Sequence, residues 1–299
     1  MKKSIYILSI AILGIMGCNK NLDVEYENDY NTDKIRIQAD INNTRVSGTS
    51  FETGDVLSLY AVEYSGDEVA NLQVSGNYLN NEVFSYDGSE WVSRRPLYWS
   101  DKPCDFYAIY PYQQPQNVSQ YLFDITTDQN SPETEDALSG YEASDLLWAK
   151  AENHSQQDGT VALRFKHMMS RVVVKLVRGE NYEGELPEDI TVHLYNTATT
   201  AEVDFTKGSL QRYAHSEKKT ITMKQLSGDT FAAVVVPQNI YLKKPLVEIT
   251  MEGIAYLLSH SISFLPGYQH TITVTLNTSP DQEKIEIELD GDVDVDDWQ

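Results

Sequence analysis

From Lys34 onward, apolar and polar residues alternate in short runs, and clusters of Gly, Pro, Asn, Asp and Ser separate the runs. In "KIRIQADI", residues 34–41, Ile35, Ile37, Ala39 and Ile41 alternate with Lys34, Arg36, Gln38 and Asp40. That period of two sets one face of a β-strand on a core and the other in water. It recurs in "DVLSLYAVEY", "NEVFSYDGSEWV", "DFYAIYPY" and "YLFDI". Asp87-Gly88, between two alternating runs, marks a hairpin, because glycine accepts the positive φ that a tight strand reversal needs. No stretch here sustains a helical period. The polar insertion "TDQNSPETEDALSGYEASD" predicts a loop with one helical turn, closed where apolar residues resume in "DLLWAK".

After "AENHSQQDG" the alternation returns in "TVALRFKHMMSRVVVKLVRG", then in "DITVHLYN", "AEVDF", "KTITMKQL", "DTFAAVVVPQ", "PLVEITM", "IAYLLSHSISF" and "HTITVTLN". The polar gap around residues 153–159 predicts a domain boundary. The expectation is an all-β protein of two β-sandwiches in tandem, an N-terminal one at residues 34–155 and a C-terminal one at 156–299.

The first residues follow another pattern. Lys2 and Lys3 precede an apolar run from Ile5 to Ile15, which is too short for the roughly 20 residues a membrane-spanning helix needs. It reads as an export signal, residues 1–17. Gly17 directly before Cys18 resembles the lipobox of bacterial lipoproteins, in which the cysteine is acylated by palmitate-like chains and becomes the first residue. Several chains, each contributing about 0.8 kcal/mol per buried CH₂, would anchor the protein to a membrane. Residues 18–33 are polar, acidic and without period, and read as a tether between lipid and fold.

Charge and cysteine content narrow the partners and the chemistry. With 23 Lys and Arg against 45 Asp and Glu, the net charge is −22, and a nucleic-acid backbone would be repelled over most of the surface. Once Cys18 carries lipid, Cys104 has no partner for an intramolecular disulfide. Cys104 reads as a small buried or turn residue ahead of an aromatic strand.

Motifs for catalysis and metal binding are missing. The aspartates of "DGDVDVDD", residues 290–297, lack the glycine at the sixth position and the glutamate at the twelfth that an EF-hand loop requires. His154, His167, His193, His215, His260 and His270 show no metal-ligand spacing, and no G-x-S-x-G elbow is present. No catalytic residue, metal or cofactor is expected. His167 in "FKHMMS" is expected to make a structural hydrogen bond. The 19 tyrosines and 4 tryptophans permit an alternative, a surface glycan-binding lipoprotein that does not polymerise, although core packing in alternating strands explains them first.

The order of the segments carries a resemblance. "RVSGTSFETGDVLSLYAV", "FSYDGSEWVSRRPLYWSDKPCDFYAIYPY", "DLLWAKA", "VALRFKHMMSRVVVKL" and "FLPGYQHTITVTL" together resemble the fimbrillin-like family of Gram-negative gut and oral anaerobes, over nearly the whole chain after the signal. The resemblance implies two transthyretin-like β-sandwiches and an outer-membrane lipoprotein at the cell surface. It implies a subunit or accessory protein of type V pili, supporting adhesion to host or bacterial surface ligands. Its partners would be other pilus subunits, joined by strand exchange, and the membrane, through the lipid. In polymerising members an arginine-specific protease cuts after the first strand, and the vacated groove accepts a neighbour's strand.

The two ends of the chain fit that scheme. Arg45-Val46 lies in "NNTRVSGTS", a polar stretch between strand candidates, where a protease could reach it. Cutting there would release residues 34–41 and leave a groove with unpaired backbone and apolar walls. The candidate donor is "EKIEIELDGDVDVDDW", residues 283–298, in which Ile285, Ile287, Leu289, Val293 and Val295 form a period-two apolar row. The same stretch also reads as an ordinary last strand followed by an acidic tail.

Overall fold

The computed structural model describes residues 33–41, 50–135, 137–279, 287–289 and 293–298. Its first sheet contains β1 (Arg36–Ile41), β2 (Val56–Ser65), β3 (Glu68–Val69), β4 (Leu79–Tyr86), β5 (Trp91–Ser93) and β6 (Cys104–Tyr110). After β7 (Tyr121–Asp124) and the single-turn helix α1 (Gly140–Ser144), β8 (Leu147–His154) and β9 (Thr160–His167) complete it. The strand order is β1-β9-β8-β6-β2-β4-β5, with β3 paired to β2. The hairpin marked by Asp87-Gly88 joins β4 to β5. Gly88 has φ +97°, and the Asp87 carboxylate accepts the Ser89 and Glu90 amides at 2.8 Å each.

The remaining strands are β10 (Ser170–Arg178), β11 (Thr191–Ala198), β12 (Thr200–Asp204), β13 (Ser209–Arg212), β14 (Lys218–Thr222), β15 (Lys224–Gln225) and β16 (Thr230–Val235). They continue with β17 (Gln238–Met251), β18 (Ile254–Phe264), β19 (Tyr268–Leu276), β20 (Ile287–Leu289) and β21 (Asp294–Asp297). One sheet runs β15-β16-β10-β19-β20, with β21 also on β19, and a second runs β14-β11-β17-β18. The all-β class expected from the alternation holds.

There are two apolar cores. The first gathers Leu57, Leu59, Phe106, Ala108, Trp91, Leu163 and Phe165; the second gathers Val172, Val174, Leu194, Val247, Ile249, Ile272 and Val274. β6 is buried at every position, since Phe106 and Ala108 enter the first core while Tyr107 and Ile109 enter the second. A strand covered on both faces reads as a continuous apolar run, which explains "CDFYAIY". Its one charge, Asp105, is satisfied by the Tyr64 hydroxyl, the Asn153 amide and the Lys150 ammonium, each at 2.9 Å.

The two cores interleave along the chain. β9 lies beyond the boundary expected between residues 155 and 156, yet its Val161, Leu163 and Phe165 belong to the first core. β7 lies before that boundary and pairs with β12 in the sheet β13-β12-β7. Val118, Phe123, Ile125 and Leu146 likewise enter the second core. The buried Gln129 amide acts as one more rung there, donating to the Val234 carbonyl and accepting its N–H, both at 2.7 Å. The chain passes from the first core to the second at Met168, next to His167.

Candidate functional site

The residues assigned functional roles from the sequence fall at the two ends of the fold. β1 pairs in parallel with β9, from Arg36 opposite Thr160 to Ile41 opposite Phe165. Ile35, Ile37 and Ile41 are buried in the first core, Ala39 packs against it, and Arg36, Gln38 and Asp40 face outward. The row that faces the core is therefore the isoleucine row. Burying one isoleucine contributes about 1.5–3 kcal/mol, so the three together contribute an upper value of about 5–9 kcal/mol. That is comparable to the whole stability of a typical domain. The first sandwich cannot lose β1 and leave its place empty.

β1 is held at its start by ladder bonds outside β9. The Ile35 amide donates to the Leu97 carbonyl at 2.8 Å, and the Trp99 amide to the Asp33 carbonyl at 2.9 Å. At its other end Ile41 is buried, and the chain resumes at Ser50 and Phe51. The Phe51 ring sits edge-on to Trp91, Tyr110 and Phe165, with centroids at 5.0, 5.3 and 5.5 Å. Arg45 and Val46 lie in the connection between these two anchored points, outside the described residues, as do Cys18 and Ile285.

At the other terminus, β20 and β21 lie antiparallel along β19 of the same chain. Leu289 stands opposite Val274, Ile287 opposite Leu276, and Val295 opposite His270. The β19 positions facing them, His270, Val274 and Leu276, are buried, so Ile287, Leu289 and Val295 occupy the core-side register of this strand. Val293 packs partly against the second core, whereas Val295 is 47 % exposed and every residue of β21 is exposed. In this state the candidate donor is the chain's own last strand.

Its anchor is a residue that the alternation did not reveal. Trp298 is 6 % exposed and stacks on His167 with centroids 3.9 Å apart and planes 12° from parallel. The His167 Nδ1 in turn meets the Asp145 carboxylate at 2.9 Å, the structural hydrogen bond expected of it. The Trp298 amide donates to the Gly267 carbonyl at 2.8 Å, and the Gly267 amide to the Met169 carbonyl at 2.7 Å. Gly267 has φ +75°, and a Cβ there would stand 3.3 Å from the His167 carbonyl oxygen, so glycine suits this junction on both counts. A tryptophan ending an otherwise acidic tail was the available signal, since exposed acidic tails do not need a large ring.

A cavity of about 670 Å³ opens beside Phe51, Tyr110, Tyr141, Asp55, Asp145 and Arg171, where both cores meet. Its polar groups largely satisfy one another. The Tyr110 hydroxyl donates to Asp55 at 2.7 Å, and burial, with Asp55 beside it, holds the phenol far above its ordinary value. Although burial pushes the Glu142 carboxyl up, the Ser139 hydroxyl and the Lys224 ammonium outweigh it and hold it below the usual glutamate value. Among the described residues, no three His, Cys, Asp or Glu side chains converge on a metal position. Cys104 is buried, and burial pushes its thiol up to about 12.

Two apolar cores between stacked antiparallel sheets, with both termini laid along sheet edges, define a surface-subunit class of β-sandwich. The fimbrillin-like family profile matches residues 44–298, and the chain belongs to that family. Solved structures share the fold. A candidate cell adhesion protein from Bacteroides ovatus superposes with a TM-score of 0.66 at 17% identity, covering 89% of this chain and 98% of its own. One from Bacteroides uniformis gives 0.61 at 20% identity, covering 83% and 93%. A fimbrial protein from Bacteroides vulgatus gives 0.50 at 16% identity, covering 88% and 99%. No curated protein sequence matches the chain.

Proposed function

We propose that this protein is a cell-surface lipoprotein, anchored through Cys18, that serves as a structural or accessory subunit of a fimbria and joins its neighbours by strand exchange. The observation that supports this most is the placement of β1. It is a terminal strand whose three isoleucines fill the first core, and it is tied to the rest of the chain through the connection that holds Arg45 and Val46. Cleavage after Arg45 would free it and expose the edge of β9 with Val161, Leu163 and Phe165 beneath. A donor must then bring a period-two apolar row and a free backbone edge. The segment holding Ile285, Ile287, Leu289, Val293 and Val295 has that pattern, and in the monomer it rests along β19 with its β21 part exposed.

The alternative, a glycan-binding lipoprotein that does not polymerise, calls for solvent-facing rings. Trp91 and Trp298 are buried and Trp99 and Trp148 half-buried, and Phe51 and Tyr110 pack on each other, so core packing accounts for them. No catalysis is proposed.

The test combines two variants with arginine-specific protease. Deleting residues 284–299 should abolish SDS-resistant ladders while the cleaved chain stays soluble, and Arg45→Ala should abolish them by keeping β1 attached. Ladders formed by the truncated chain would sink the donor assignment. Ladders formed with β1 still covalently attached would sink the groove-opening step.

A further inference from the structure

The edges of the described sheets are short or charged, with one exception. β5 and β15 have 3 and 2 residues, β1 carries Arg36 and Asp40, and β7 ends on Asp124. β13 ends on Arg212, β14 carries Lys218 and Lys219, and β20 and β21 carry Glu288, Asp294, Asp296 and Asp297. Such short or charged edges keep a sheet from pairing with another chain. β18 differs. It has 11 residues, IAYLLSHSISF, with no Asp, Glu, Lys or Arg, on a chain of net charge −22. Among the described residues its ladder partner is β17 alone, so its other edge is open.

The side chains of β18 point the same way. On the row facing the second core, Phe264 and Ile262 are buried and Leu258 and Tyr256 only partly so, while Ile254 is 42 % exposed. On the outer row Ala255, Leu257, Ser259, Ser261 and Ser263 are all exposed. One more strand beside β18 would extend the cover over the half-open inner row.

Charge and symmetry select the occupant. Around His260 the strand reads nearly alike in both directions: Ser259 matches Ser261, Leu258 matches Ile262, and Tyr256 matches Phe264. A two-fold axis through His260, perpendicular to the sheet, therefore sets each of these residues opposite its match in a second copy, the self-complementarity that an isologous contact requires. Two copies with net charge −22 repel over most of their surfaces, and an uncharged strip lets their backbones approach without apposed carboxylates. His270 reaches the Ser263 backbone, so the new ladder centres on Ser259 and Ser261.

We propose that β18 is a self-pairing edge, through which two copies of this chain join antiparallel about His260 and merge their four-stranded sheets. This side-by-side contact needs neither cleavage at Arg45 nor release of the C-terminal strand, so it stands apart from the strand-exchange reading. A contact of one strand pair sits at the small end of specific interfaces and forms in the micromolar range, roughly 1 to 100 μM.

Sedimentation of the purified, uncleaved chain across that range tests it. The native protein should pass from monomer to dimer as concentration rises, with the dimer favoured at high salt because like net charge is screened. Ser259→Asp combined with Ser261→Asp sets like charges face to face across the axis and should weaken the dimer by at least about tenfold. Ser259→Asp combined with Ser261→Lys faces each carboxylate with an ammonium of the other copy and should restore it. An equimolar mixture of the double-Asp and double-Lys chains should dimerise where neither does alone. A native chain that stays monomeric throughout, or double-Asp and Asp/Lys chains that dimerise equally, would overturn the proposal. All the substituted positions are exposed, and the Asp/Lys chain also controls for a folding defect.

Discussion

Replacing Trp298 with alanine should undock the C-terminal strand without unfolding either sandwich. The four residues of β21 are all exposed, so apart from its ladder with β19 this strand is held by one buried side chain beyond its end. A buried tryptophan removes about 150–250 Å² from water, and Trp→Ala changes in packed sites cost about 3–5 kcal/mol. At about 1.4 kcal/mol per factor of ten, the lower value raises the population of the undocked strand roughly a hundredfold. Hydrogen exchange reads this directly, because amides in 294–297 and their β19 partners in 268–271 are protected only while the strand is docked. Exchange there should speed up by about two orders of magnitude, while β6 and β10 amides keep their protection. Trp298→Phe should recover part of the loss, since a smaller ring can still stack on His167. Unchanged exchange in 294–297 in the alanine variant would show that the ladder alone holds the strand, and would refute the anchoring role given to the stack.

Two further outcomes follow from buried groups. Burial holds the His270 imidazole below its ordinary value, outweighing the backbone hydrogen bonds that favour its charged form. The unfolded chain therefore binds a proton near pH 6.5 that the folded chain resists, and stability present above about that pH is lost as it falls. The unfolding temperature should drop between about pH 7 and pH 5, with a smaller drop in a His270→Gln variant, whereas carboxylates held low, such as Glu63 and Glu142, act only nearer pH 4. A flat profile over that interval would remove His270 from the account. The Cys104 thiol, buried and pushed up to about 12, should resist alkylation at pH 8 in the native protein and react fully in denaturant; native labelling at the rate of a free thiol would contradict its placement.

What could be read in the sequence was local. Period two located β1, β2, β4, β6 and most later strands, because each has one face on a core and one in water. Asp87-Gly88 gave the first hairpin because its conformational need is met by the residues themselves. Partnership between distant strands left no such mark. Nothing within "YLFDI" says that it pairs with β12, 76 positions away from Asp124 at Thr200, nor within "VALRF" that it lies beside β1. β13, with Leu210 between Ser209 and Gln211, is too polar to register as a strand and forms because β12 lies beside it. The stack of Trp298 on His167 was hidden for the same reason. It joins positions more than a hundred residues apart, and only the turn at Gly267 brings them together.

The central claim is that β1 leaves its place when subunits join, and the N-terminus of the protein recovered from assembled fimbriae tests it most directly. The account predicts that the assembled subunit begins at Val46, with residues 34–41 gone and the edge of β9 paired to a strand from its neighbour. An assembled subunit that begins at Cys18, with β1 retained, would contradict it.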